Sequence, residues 1–338
     1  MKTLSISILL LIGFSARAQY TNLVLEGGGM KGIAYAGAFE VLDSLGITKD
    51  IERIAGSSSG AMNGMMLAFG YTGEQIRHLN LETKFQKYNQ VGIPLISGLI
   101  RLKRTYGFYK SDRLIQDLGK LIVQIGYDEN ITFGEMQNLI NEERPLKELH
   151  ITGANLTDQK IEIFNFENYP DMKILDAIRI SISIPVYFEA LFVSSNGKII
   201  PKKEADSNTK VMVDGGILDN YPFYIFDTLV SVNQGRNQYY KCNQNTLGIK
   251  LENDNSKEYI ASKKVENTTD YMQAFGLLSS EYLNRRHLGS QQKAQTIFIN
   301  THNFNPKIKR HKKKEKVDIM NYGKNAAKAF FMSTKTSK

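Results

Sequence analysis

Gly56-Ser57-Ser58-Ser59-Gly60 is the stretch whose residue types and spacing could do chemistry most directly. Where a G-x-S-x-G segment joins a strand to a helix, the sharp turn crowds the positions two before and two after its central residue, and glycine relieves both. Of the three serines only Ser58 has glycine at both offsets. The flanks fit that context: residues 51–55 end apolar, as a buried strand does, and residues 61–69 are rich in helix formers. The Ser58 hydroxyl would then stand at a strand tip, beside helix N-terminal amides that favour a developing alkoxide. Ser58 is the candidate nucleophile. A Ser/Gly-rich turn without chemistry could use the same residues, so the other segments must decide.

Upstream, Gly27-Gly28-Gly29-Met30-Lys31-Gly32 follows an apolar strand at residues 23–25 and precedes Ala34, Ala38, Val41, Leu42 and Leu45, which fall on one helical face. The loop satisfies G-x-G-x-x-G, but a dinucleotide site expects an acidic residue ending the second strand, where this chain has Gly56 and Ser58. Lys31 is followed by Gly32 rather than Ser or Thr, so the P-loop pattern also fails. An oxyanion hole is the other use of such a loop. Amides of Gly28, Gly29 and their neighbours could converge on the oxygen that becomes negative when Ser58 attacks an ester. Far downstream, the apolar residues 211–213 lead into Asp214-Gly215-Gly216, a carboxylate at a strand end that two glycines let the chain leave at once. A plain Asp-Gly turn is the alternative there.

A serine nucleophile needs a base. The chain has five histidines, His78, His150, His287, His302 and His311, and none sits in a recognisable catalytic block. The order serine, acid, histidine leaves His287 or His302 open as the third member of a triad. There is one cysteine, Cys242, so neither an internal disulfide nor a cysteine-based metal site can form.

The elements that must position these groups read as one α/β domain over residues 19–338. Further strands are expected at residues 149–153, 161–164, 246–251 and 296–300. An amphipathic helix carries Leu114, Leu118, Leu121, Ile122 and Ile125, with Ser111 as its N-cap. Another helix, with Ile174, Ala177, Ile178 and Ile182, stops before Pro185. Residues 232–245 read as a polar loop, 257–286 as helical and 317–332 as a closing helix. Residues 91–102 are apolar but rich in breakers, with Arg101, Lys103 and Arg104 at their end, which fits a lid or lipid-contact surface as well as a buried connection.

Residues 1–18 carry an early lysine, a short apolar run and Ala16-Arg17-Ala18, the pattern of a secretory leader. Its apolar run falls short of the roughly 20 residues that cross a bilayer. The expectation is a secreted or periplasmic protein beginning near Gln19. The formal charge of +9 falls to +7 on loss of Lys2 and Arg17, which suits an anionic partner. Seven of the ten residues 307–316 are Lys or Arg. Such a run reads as a solvated face or mobile loop before a specific lipid or nucleic-acid patch, and it lacks interleaved aromatics for base stacking.

In order and spacing, the glycine loop, G-x-S-x-G and Asp214-Gly215-Gly216 together resemble the patatin-like phospholipases. Gly107-Phe108-Tyr109, Ile131-Thr132-Phe133-Gly134-Glu135, Ser181-Ile182-Ser183-Ile184-Pro185 with Phe188, and Asn220-Tyr221-Pro222 extend the likeness over residues 23–222. The resemblance implies a three-layer α/β/α sandwich with a mostly parallel central sheet, with residues 223–338 adding C-terminal strands and helices. It also implies a Ser58–Asp214 dyad, an oxyanion hole drawn from Gly27, Gly28, Gly29, Met30, Lys31 and Gly32, and no cofactor or metal. The substrate would be a phospholipid or other acyl lipid. Separately, the +7 charge, the basic residues 307–316 and the apolar residues 91–102 suggest peripheral contact with an anionic membrane surface, and no nucleic acid is expected. A histidine-triad esterase on small esters and a silent lipid-binding protein of the same fold are the alternatives.

Overall fold

A computed structural model describes residues 20–89, 94–232, 237–254, 265, 288–302 and 304–336. The leader, His287 and nearly all of the segment read as helical at 257–286 lie outside these residues. The strands are β1 (Asn22–Leu25), β2 (Arg53–Gly56), β3 (Gly107–Tyr109), β4 (Glu148–Asn155), β5 (Lys160–Phe164), β6 (Val186–Phe188) and β7 (Leu191–Val193), then β8 (Ile199–Ile200), β9 (Lys210–Asp214), β10 (Thr228–Val232), β11 (Asn237–Lys241), β12 (Thr246–Glu252) and β13 (Thr296–Asn300). The main sheet has the order β13-β12-β1-β2-β4-β9-β7-β8, with β5 also paired to β4. From β13 to β4 every pairing is parallel. β9 then runs antiparallel to both β4 and β7.

Short strands of Val, Ile and Leu suit a sheet buried on both sides. Leu23, Leu25, Ile54, Ile151 and Met212 enter the large core. On the other face Val24 and Ala55 pack under Phe223 and Phe226. Helices α1 (Tyr35–Ser44) and α2 (Ser59–Ala68) each follow a parallel strand and its turn, and α3 (Gly73–Glu82) begins with a capping box of Thr72 and Gln75. α4 (Pro94–Thr105), α5 (Asp112–Gln124), α6 (Ile174–Ser181) and α7 (Lys313–Thr336) complete the elements used below.

Several local expectations change. The breaker-rich stretch is a helix from Pro94 onward, because proline at the first helical position costs no hydrogen bond and Gly98 packs closely on the Phe108 ring. Ser111 occupies the N-cap of α5, yet its side chain makes no capping bond. Residues 232–245, expected as a polar loop, include β11, which pairs antiparallel with β10 and leaves Tyr239 and Tyr240 exposed.

The basic run is not uniformly solvated either. Lys316 is buried, and its ammonium donates to the carbonyls of Asn80 (2.9 Å), Leu81 (3.3 Å) and Thr83 (2.7 Å), closing the C-terminal end of α3. A cation at that end also meets the favourable pole of the helix dipole. Lys316→Met leaves these part-buried carbonyls without that donor and is expected to cost about 1–3 kcal/mol. A thermal midpoint lowered by several degrees would record it; an unchanged midpoint would deny Lys316 this role.

Candidate active site

Ser58 sits where β2 gives way to α2, at φ 49° and ψ −119°. A non-glycine residue held there is strained, and such strain persists only where its surroundings fix it. The flanking glycines are required by close approach. A Cβ on Gly56 would lie 2.7 Å from the Ala61 nitrogen, and one on Gly60 would lie 2.3 Å from the Leu25 carbonyl oxygen. The turn is therefore pressed against its own helix and against β1.

Asp214 reaches the same place from the opposite direction. On β4, Ile151 is level with Gly56 of β2 and Gly153 is level with Asp214, so the carboxylate arrives just beyond the end of β2, where Ser58 stands. Asp214 is buried, and desolvation pushes its pKa up to about 7. The Gly216 amide, donating at 2.8 Å, and the facing Ser58 hydroxyl both stabilise the charged form and limit that rise. A carboxylate so tuned is a far better proton acceptor at neutral pH than an ordinary aspartate.

Two residues to which sequence reasoning gave no role tie the pair together. The Ser58 amide donates to the Ser181 hydroxyl at 2.8 Å, and the Asp214 amide donates to the Ser183 carbonyl at 2.9 Å. Both serines are fully buried at the C-terminal end of α6. The Ser-x-Ser spacing before Pro185 was the available signal, but nothing in it says which backbone it will meet.

The glycine loop lies at the end of β1, next to β2. Its amides are not equally available. Gly27 donates to Asn220 (3.0 Å), Met30 to Pro306 (3.0 Å) and Lys31 to Gly28 (3.1 Å), all through carbonyls, while Gly28 donates to the Ser59 hydroxyl at 2.9 Å. Among the described residues the amides of Gly29 and Ser59 have no protein acceptor. Asn220 holds the loop from both sides, since its side-chain amide also donates to the Gly27 carbonyl at 2.9 Å. The Lys31 ammonium donates to the Asn253 side chain.

The described histidines have other partners. His78 pairs with Glu82, His150 lies between Asn165 and Glu148, His302 meets Asp254 at 2.9 Å, and His311 stacks on Phe304. Among the described residues, no group of three or more His, Cys, Asp or Glu is placed to hold a metal.

Residues 23–227 match the family model described as patatin-like phospholipase. The Bacillus subtilis protein YqhO is 30% identical over 219 residues, 62% of this chain and 67% of its own length. The probable lipid hydrolase 463L of Invertebrate iridescent virus 6 is 30% identical over 214 residues, 63% of this chain and 65% of its own. The crystal structure of VipD from Legionella pneumophila shares the fold at TM-score 0.52 and 17% identity, covering 93% of this chain and 67% of VipD.

Ser181→Ala removes the acceptor that holds the Ser58 amide. Loss of one such bond is expected to lower kcat for ester hydrolysis about ten-fold, with KM little changed. Ser181→Thr, which keeps the oxygen, should stay nearer the parent. Equal losses in both variants, tracking their thermal midpoints, would make Ser181 merely a packing residue.

Proposed function

We propose that this chain, which belongs to the patatin-like phospholipase family, hydrolyses the carboxylic esters of phospholipids or related acyl lipids, with Ser58 as nucleophile and Asp214 as its base. The observation that carries this reading is the meeting of a strained serine with a buried carboxylate whose pKa lies near 7. The viral relative, a probable lipid hydrolase, supports the substrate class.

In this scheme the Ser58 oxygen attacks the ester carbonyl carbon as its proton passes to Asp214. The carbonyl oxygen becomes an oxyanion and is received by the amides of Gly29 and Gly28, the latter exchanging its bond to the Ser59 hydroxyl, with the Ser59 amide as a third donor. Collapse breaks the bond to the leaving oxygen, which takes the proton from Asp214 and departs as an alcohol. Water, deprotonated by Asp214, then attacks the acyl-serine, and the returning proton restores Ser58. No histidine takes part.

The dyad is tested by substitution and turnover of a chromogenic ester. Ser58→Ala and Asp214→Asn should each lose on the order of a hundred-fold or more in kcat, with circular dichroism unchanged. Single replacements of His78, His150, His287, His302 and His311 should each keep activity within a few-fold. One histidine variant as inactive as Ser58→Ala, and still folded, would replace the dyad with a triad. Mass spectrometry of products from mixed phospholipids would identify the ester cleaved.

A further inference from the structure

Two features that the chemistry does not use flank the candidate site on different sides. The first is the start of the basic run. The Pro306 carbonyl accepts the Met30 amide of the glycine loop at 3.0 Å, which places Lys307, Lys309 and Arg310, all exposed, beside that loop. There is no acidic residue between Lys307 and Lys314.

The second is an apolar lip. Ile184 follows Ser183, whose carbonyl holds the Asp214 amide, and it is 39% exposed. Val186 is 39% exposed at φ 70°, and Tyr106 is 46% exposed at φ 65°. Gly107 pairs with Val186, so Tyr106 and Val186 are neighbours, and both line an open groove of about 320 Å³ with Pro185, Leu156 and Val211. A β-branched side chain at positive φ is a rare backbone outlier, and such strain clusters at functional surfaces. Here it holds an apolar side chain toward solvent.

One hydrogen-bonded bridge joins the two sides. The Asn89 side chain donates to the Ile308 carbonyl and accepts from the Tyr187 hydroxyl. Basic segment and apolar lip are thus parts of one rim.

We propose that this rim docks on the surface of an anionic bilayer, with Lys307, Lys309 and Arg310 over the headgroups and Ile184, Val186 and Tyr106 in the acyl boundary. Charge decides the choice of partner. Interfacial binding combines buried apolar area with attraction of Lys and Arg to anionic lipid, and tyrosine favours the headgroup level. The reading of the bilayer as the source of substrate rests on the proposed function; the docking face itself does not.

The test uses the full chain carrying Ser58→Ala, so that vesicles stay intact, and compares sedimentation with phosphatidylcholine vesicles and with equimolar phosphatidylcholine and phosphatidylglycerol. Binding should favour the anionic vesicles and weaken with salt. Adding Lys307→Glu, Lys309→Glu and Arg310→Glu together should weaken it by on the order of a hundred-fold. Val186→Asn, which suits the left-handed backbone, should weaken it without loss of fold. With Ser58 restored, both sets should hydrolyse a soluble acetyl ester within about two-fold of the parent. Equal binding to both vesicle types, or anionic binding unchanged by both sets, would overturn the docking face. If the parent fails to hydrolyse the soluble ester, the proposed function falls while the vesicle comparison still decides the docking face.

Discussion

Burial of the Asp214 carboxyl is the constraint on which the rest of the site depends. Desolvation raises its folded pKa to about 7 from an ordinary value of 3.8. Across that window the folded protein holds a proton that the unfolded chain has released, so this group's contribution to stability falls as pH rises from about 4 to 7. Above pH 7 the fold carries a buried anion that the Gly216 amide and the Ser58 hydroxyl help to stabilise. That cost is borne by the packed core of Leu23, Ile54, Ile151 and their neighbours. A proton acceptor near neutrality is what the chemistry proposed for Ser58 calls for.

Topology meets this demand by changing strand direction. Parallel strands bring the glycine loop and the Ser58 turn to one sheet edge, as α/β connections do. A further parallel strand would carry its C-terminal carboxylate to the same edge pointing outward. Because β9 is antiparallel, it descends from beyond that edge and ends with Asp214 among the loops, where the segment after α6 can cover it. Ser183 holds the Asp214 backbone and Ser181 the Ser58 backbone, so one helix end sets their separation.

Legibility in the sequence followed the range of the cause. Gly56 is needed by contacts within its own turn and Gly60 by the end of the neighbouring β1, and Ser58 could be found from their spacing. The parallel strands β1 and β2 show as short apolar runs that lead into glycine. The direction of β9 could not be found, since residues 211–213 read alike either way. Nor could the roles of Ser181, Ser183 and Asn220, whose partners are remote in sequence. The basic run misled for the same reason: Lys316 and Lys307 have the same local composition, yet one is buried against α3 and the other sits on the rim of the site.

The central claim, that burial makes Asp214 a base poised near neutrality, is most directly tested by titrating its carboxyl carbon by nuclear magnetic resonance. The signal is assigned by its loss in Asp214→Asn. A midpoint near 7 in the resting protein is the result expected here. A midpoint near 4 would mean that the carboxylate is solvated, and the dyad would lose its physical basis.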